Sequence, residues 1–84
     1  MEKAIFSARF IQKNGDPVEK IYPTKAAAVR AIKNAYKYYA EGRISQFVAW
    51  IQKTDVEMGC VKTIFEVLNN QVIDKETKEV KSWE

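Results

Sequence analysis

The sequence predicts an α+β domain in which one amphipathic helix packs on one face of an antiparallel sheet of about five strands, in the order ββαβββ. Three observations support this. The segments on both sides of residues 25–41 alternate apolar and polar side chains with the period of a strand. Residues 25–41 repeat their apolar side chains with the period of a helix. A chain of 84 residues has the size of one domain, so we expect a single domain over residues 1–84.

The first two predicted strands form a hairpin. Asn14 and Gly15 lie between them, and this dipeptide is a strong hairpin signal because both residues tolerate positive φ. A connecting loop of either two or four residues places Ile21 on the same face as Phe6 and Phe10. We take that face as the core side of the sheet.

The predicted helix has a defined start and end. Pro23 ends the second strand, and Thr24 is a natural N-cap residue. The helix then runs from about Lys25 to Glu41, and Gly42 is expected at the C′ position, where glycine adopts a left-handed conformation without steric cost. The core face of this helix consists of Ala28, Val29, Ile32, Ala35, Tyr36 and Tyr39.

Strand-like alternation resumes after the helix, at residues 44–53. It directs one set of apolar side chains to the core and a second set to the opposite face. The core set is Phe47, Ala49 and Ile51, and the opposite set is Val48 and Trp50. The pattern of residues 72–83 then predicts a charged hairpin that turns at residues 75–78.

Cys60–Leu68 fits either a strand or a helix. β-Branched and aromatic residues favour the strand, whereas Thr54 and Glu57 have the spacing of a capping box for a helix. Gly59 disfavours a helix that starts at Thr54, so we predict the strand. Simple alternation would place four of its side chains on one side: Val61, Thr63, Phe65 and Val67.

The composition provides no catalytic, cofactor-binding or metal-binding motif. The chain has no histidine, its one cysteine is Cys60, and its three glycines are isolated. A zinc site, a cysteine–histidine pair and a phosphate-binding glycine loop are therefore not expected, and we predict that the protein is not an enzyme and uses no cofactor. The sequence has no membrane-length apolar run and no signal-peptide pattern, so a cytoplasmic protein is expected, with Cys60 as a small buried thiol.

Basic residues are concentrated in the first half of the chain. The net charge is +3, and residues 1–44 contain nine of the 14 basic residues but only four of the 11 acidic ones. On the predicted helix, the basic side chains opposite the core fall within about 60° of arc. Such a stripe either binds an acidic partner or forms a solvated helix surface. The candidate contact residues here are Lys25, Arg30, Lys33, Lys37, Tyr38 and Arg43.

The sheet face opposite the helix is a second candidate surface. One helix covers one face only, yet apolar side chains are predicted on the other face as well. These are Ile5, Ile11, Val18, Val48 and Trp50, with Trp83 as a further member. Three interpretations remain: an interface with a partner or a second copy, a platform on which bases stack near lysines, or a surface covered by the C-terminal hairpin.

The order of elements resembles a group of small proteins encoded by phages and mobile elements, including anti-CRISPR proteins. The features that carry the resemblance are the first hairpin, the alanine-rich helix that starts at Thr24 and continues through Tyr36 to Tyr39, and the final hairpin around residues 72–77. The resemblance implies a stoichiometric inhibitor that blocks a nuclease complex or its nucleic-acid channel. Many such inhibitors are acidic and imitate DNA, whereas this chain is basic, so DNA mimicry by overall charge is not expected.

The sequence therefore predicts a non-catalytic binding protein with the helix stripe and the Trp50 face as contact surfaces, and the resemblance implies that it inhibits a host protein or protein–nucleic-acid complex. An alternative is a small nucleic-acid-binding or regulatory module that uses Arg30, Lys33, Lys37 and Tyr38. A further alternative is a homodimer with a structural role, joined through the sheet face. None of these functions involves a membrane.

Overall fold

The computed structural model describes residues 4–11 and 15–83, so Asn14 of the predicted turn lies outside the described residues. The described part forms one antiparallel six-stranded sheet with one helix on one face, which confirms the α+β class. The elements are β1 (Ala4–Ile11), β2 (Pro17–Tyr22), α1 (Lys25–Ala40), β3 (Val48–Asp55), β4 (Val61–Leu68), β5 (Gln71–Asp74) and β6 (Glu79–Ser82). The strands are arranged β2-β1-β3-β4-β5-β6, and the final hairpin contributes two strands, so there are six instead of about five.

The core lies between α1 and the centre of the sheet. The helix packs mainly over β1, with β2 and β3 on its flanks. Small side chains allow this close approach: Ala8 on β1 and Ala28 on α1 have no exposed surface. The predicted core face of the helix is confirmed, with Ile32 and Tyr36 buried at its centre.

Both predicted ends of the helix are confirmed. The Thr24 hydroxyl accepts a hydrogen bond from the Ala27 N–H at 3.1 Å, as an N-cap residue does. Gly42 has a φ of +78° and donates to the Tyr39 carbonyl, and the Arg43 N–H donates to the Tyr38 carbonyl at 2.9 Å. These two bonds form a Schellman motif, which satisfies carbonyl groups at the end of the helix.

The prediction of which β2 side chains lie on the core side is wrong. Ile21 pairs with Ser7 and points away from α1, whereas Val18 pairs with Phe10 on the core side. The loop between the paired residues Ile11 and Pro17 has five residues, whereas a loop of two or four residues was predicted. An odd change in loop length moves every side chain of a strand to the other face. Ile21 is therefore 69% exposed, and Val18 leaves the predicted apolar set of the opposite face.

Cys60–Leu68 forms a strand over its last eight residues, so the strand alternative is confirmed. Its simple alternation is wrong, because Ile51 pairs with Phe65 while Gln52 pairs with Thr63, which leaves Ile64 as an extra residue in a β-bulge. The bulge reverses the facing along β4. Val61 and Thr63 lie on the side away from the helix, whereas Phe65 and Val67 face the core and the bulged Ile64 is buried as well.

The C-terminal hairpin extends the sheet and does not fold over its exposed face, so the covering interpretation is wrong. Trp83 also differs from its prediction, because it follows β6 on the same side as the buried Val72 and packs into the core. Its ring lies 5.3 Å from the Tyr36 ring and 6.2 Å from the Phe65 ring, measured between centroids. The Tyr36 hydroxyl donates to the Trp83 carbonyl at 3.0 Å, which joins the helix to the end of the sheet.

Cys60 is exposed at the end of the β3–β4 loop, so the prediction of a buried thiol is wrong. The loop turns at Asp55, whose side chain accepts hydrogen bonds from the N–H groups of Glu57 and Met58. β3 ends at this turn, and Cys60 lies in the loop that follows, outside the core. Within the described ranges, no helix is long and apolar enough to cross a membrane.

Replacement of Gly42 with Ala should lower the free energy of unfolding by about 1 kcal/mol, because an L-residue is strained in the left-handed conformation. An added Cβ meets no atom within 4 Å, so the cost should come from the backbone alone. Urea unfolding of the variant measures this cost. Gly42→Asn is the control and should lose less, since asparagine tolerates this conformation; equal losses in both variants would contradict the explanation.

Candidate functional site

The side of the sheet turned away from α1, here called the open face, is uncovered in the described part of the chain. Its apolar centre consists of side chains from four neighbouring strands, and we call this set the apolar patch. The apolar patch is Val48, Trp50, Leu68, Ile73 and Val80. Leu68 and Val80 are more than half exposed, which is unusual for large apolar side chains grouped together.

The apolar patch surrounds a shallow concavity. Four of its members line a depression of about 370 Å³ together with the polar side chains of Gln52, Thr63, Glu66 and Gln71. The twist of the sheet and the bulge in β4 shape this depression. The arrangement of an apolar centre with a polar rim is typical of protein interfaces.

Trp50 lies at the middle of a cross-strand row that spans the sheet. In the register it lies between Arg9 of β1 and Glu66 of β4, and Ile73 and Val80 continue the row to the edge. The Arg9 guanidinium carbon lies 5.3 Å from the centroid of the Trp50 ring, in cation–π contact. The structure thus supports the prediction that Trp50 belongs to the face opposite the helix.

The charges of the open face balance one another. Arg9 lies opposite Glu19 in the strand register, and the Glu66 carboxylate forms an ion pair with Lys75 at 3.2 Å. Since phosphate binding requires an excess of positive charge, this face does not favour nucleic acid. The Arg9 guanidinium also lies over the Trp50 ring and would compete with a base for that side of the ring.

The basic stripe on the back of α1 retains three of its predicted members. Arg30, Lys33 and Lys37 are exposed, and within the described residues no carboxylate lies within ion-pair distance of them. The helix itself contains no acidic residue. These three side chains, which we continue to call the basic stripe, therefore present an uncompensated positive surface.

The predicted end members of the stripe are held in ion pairs. The Arg43 Nε lies 3.3 Å from the Glu41 carboxylate. The Lys25 ammonium lies 3.0 Å from the Asp74 carboxylate and 2.9 Å from that of Glu76. These two carboxylates also lie beside the N-terminus of α1, where negative charge offsets the unfavourable placement of a lysine. Lys25 thus joins the helix to the β5–β6 hairpin.

This cluster shifts two pKa values. Burial disfavours the charged form of Lys25, but hydrogen bonds to Glu76 and Asp74 outweigh it and raise the pKa of Lys25. Burial likewise disfavours the Asp74 carboxylate, but the Lys25 ammonium and the N–H groups of Thr77 and Glu76 outweigh it and lower the pKa of Asp74. The directions of both pKa shifts show that the charged forms of Lys25 and Asp74 favour each other in the folded state, which indicates a structural role for Lys25.

Tyr38 lies in a groove between α1 and the edge strand β2. The groove measures about 310 Å³, and its walls include Lys20 and Tyr22 from β2 and Asn34 from the helix. Sequence reasoning placed Tyr38 beside the basic stripe but missed Lys20 and Tyr22. Their position depends on the register of β2, which the length of the loop decides.

No group of histidine, cysteine, aspartate or glutamate side chains in the described part of the chain is arranged to hold a metal ion. Comparison of the chain with protein-family models, with curated proteins and with solved structures finds no match.

Replacement of Asp74 with Asn should lower the free energy of unfolding by about 1–2 kcal/mol at pH 7, since hydrogen bonds to a charged group are lost. The pKa of Asp74 is lowered in the folded state, so its contribution is present above the unfolded pKa of ~3.9 and disappears as the pH falls through the folded value. The stabilities of wild type and variant should therefore converge in acid. Urea unfolding between pH 7 and pH 2 measures this.

Two further variants test the source of that effect. Lys25→Met and Asp74→Asn together should lower the free energy of unfolding by less than the sum of the two single changes, because both remove the Lys25–Asp74 bonds, while only Lys25→Met also removes the contact with Glu76. Lys75→Met is the control, since its exposed pair with Glu66 should contribute well under about 1 kcal/mol. Additive losses, or a pH-independent difference, would contradict a Lys25–Asp74 pair that stabilises the fold.

Proposed function

We propose that this chain is a non-catalytic binding protein that docks a partner protein on its open face and inhibits it stoichiometrically. The observation that carries the proposal is the apolar patch, which lies uncovered on a face with balanced charge. Burial of one large apolar side chain contributes about 1.5–3 kcal/mol, so a few of these residues suffice for tight binding. Trp50 at the centre is the type of side chain that anchors interfaces.

The class of partner follows from the chemistry of the patch and from the resemblance to anti-CRISPR proteins. The patch suits an apolar, weakly charged protein surface with polar groups at its margin, which meet Glu66, Gln52 and Gln71. The resemblance implies that the partner belongs to a host nuclease complex. Contact alone can inhibit such a complex, by covering a surface that the complex needs to change shape or to bind its target.

An interference assay tests this function. The chain is expressed in bacteria that carry active CRISPR nucleases of several types, and the plaquing efficiency of a targeted phage is measured. We expect restored plaquing against at least one type. The double variant Leu68→Lys and Val80→Lys should abolish the effect, because each lost apolar contact costs tenfold or more in affinity.

The chain offers a matched control for this variant. Val56 and Met58 lie in the β3–β4 loop, away from the patch, and are 51% and 76% exposed, close to the 55% of Leu68 and 63% of Val80. Val56→Lys and Met58→Lys add the same charge and should leave plaquing restored. Equal activity of both double variants, or no effect of the wild-type chain on any nuclease, would contradict the proposal.

The oligomeric state tests separately whether the open face binds another protein or a second copy of this chain. A partner from another chain requires the patch to be free, so light scattering at micromolar concentration should give a monomer of 9.7 kDa. A dimer of twice this mass that dissociates in the Val80→Lys variant would assign the open face to a second copy. That result would overturn the inhibitor proposal in favour of a structural homodimer.

A further inference from the structure

The opposite side of the molecule carries a second surface with different chemistry. The groove between α1 and β2 has the aromatic rings of Tyr22 and Tyr38 in its walls, and both are half-buried, so part of each ring faces the groove. Lys20 lies on the β2 side and Asn34 on the helix side. No carboxylate is found among the described residues that line it.

The basic stripe continues this groove along the helix. At 100° per residue, Asn34 lies between the groove and Arg30, and Lys37 and Lys33 follow around the helix. Arg30 and Lys37 are seven residues apart, which corresponds to about 10 Å along the axis. Lys20 on β2 and the basic stripe around the helix from Tyr38 therefore place four cations on the two sides of the groove, and among the described residues no carboxylate lies within ion-pair distance of them.

We infer that this surface binds single-stranded nucleic acid, with the phosphates on the four cations and a base against Tyr38 or Tyr22. Proteins that bind single strands combine these two features, a positive track for the backbone and aromatic side chains for the bases. A duplex fits less well, because its bases are stacked inside and cannot reach the tyrosines. An acidic protein would use the cations but leave the aromatic walls without a role.

The salt dependence of binding measures the number of phosphate contacts. The probe is fluorescein-labelled oligo(dT) of about 20 nucleotides, with anisotropy recorded at several salt concentrations. Each phosphate contact with a single strand contributes about −0.7 to the slope of log K against log salt, so four contacts predict a slope of about −3. The Arg30→Gln, Lys33→Gln, Lys37→Gln triple variant should reduce the slope to about −0.7.

The control triple is Lys62→Gln, Lys78→Gln and Lys81→Gln, which removes the same charge from exposed positions elsewhere. It should leave the slope nearly unchanged. Glutamine has a helix propensity close to that of lysine and arginine, so the triple variant in α1 should fold, and the control triple should fold because its three positions are exposed. An equal fall in both triples, or no binding of oligo(dT) by the wild type at low salt, would overturn the inference.

Tyr38 separates stacking from charge. Tyr38→Phe keeps a ring and should bind oligo(dT) nearly as well as the wild type, whereas Tyr38→Leu should bind about 5- to 100-fold more weakly. Melting temperatures of both variants show whether Tyr38→Leu still folds; if it does not, Tyr22→Leu against Tyr22→Phe makes the same test. Equal affinities of the Leu and Phe variants would overturn the stacking contact.

Two competitor molecules test whether this surface instead binds double-stranded DNA or an acidic protein. A duplex of the same length should compete weakly for the labelled single strand, and poly-glutamate should compete only weakly as well. Tighter binding of the duplex, or displacement by poly-glutamate at an equal concentration of charge, would overturn the inference in favour of double-stranded DNA or an acidic protein. The Leu68→Lys and Val80→Lys variant should bind oligo(dT) normally, so this test is independent of the open face.

Discussion

The apolar face of α1 packs against the middle of the sheet, and the other surfaces of the domain follow from this contact. Ala8 and Ala28 remove side-chain bulk between helix and strand, and the larger Ile32 and Ile51 fill the space around them without exposed surface. In a domain this small, one helix can cover only one side of a six-stranded sheet. The contact therefore defines both the core and the face that remains open.

Two contacts join the helix to the far end of the chain. The Lys25 ammonium holds the carboxylates of Asp74 and Glu76 near the start of α1, and the Tyr36 hydroxyl holds the Trp83 carbonyl near its end. Since β5 and β6 are only 4 residues long and β6 is the edge strand, these contacts help to keep the hairpin in line with the sheet. The open face thus retains Ile73 and Val80 in the plane of Trp50.

The two candidate surfaces lie on opposite sides of the molecule and differ in chemistry. The open face is apolar at its centre and balanced in charge, so it suits a protein. The helix side has the uncompensated charges of Arg30, Lys33 and Lys37 beside Tyr38, so it suits a polyanion. A complex that contains both protein and nucleic acid has both kinds of surface, and this is the class of partner that we propose.

The sequence by itself determined the features that depend on neighbouring residues: the helix limits at Thr24 and Gly42, its core face, and the alternation of β1 and β3. Only the tertiary structure decided which side chains of β2 and of the first part of β4 face the helix. Ile21 changed sides because the loop has an odd length, and half of β4 changed sides because Ile64 forms a bulge. The Lys25–Asp74 pair and the placing of Lys20 beside Tyr38 join distant residues. Alternation defines two faces, but register against neighbouring strands decides which face is buried.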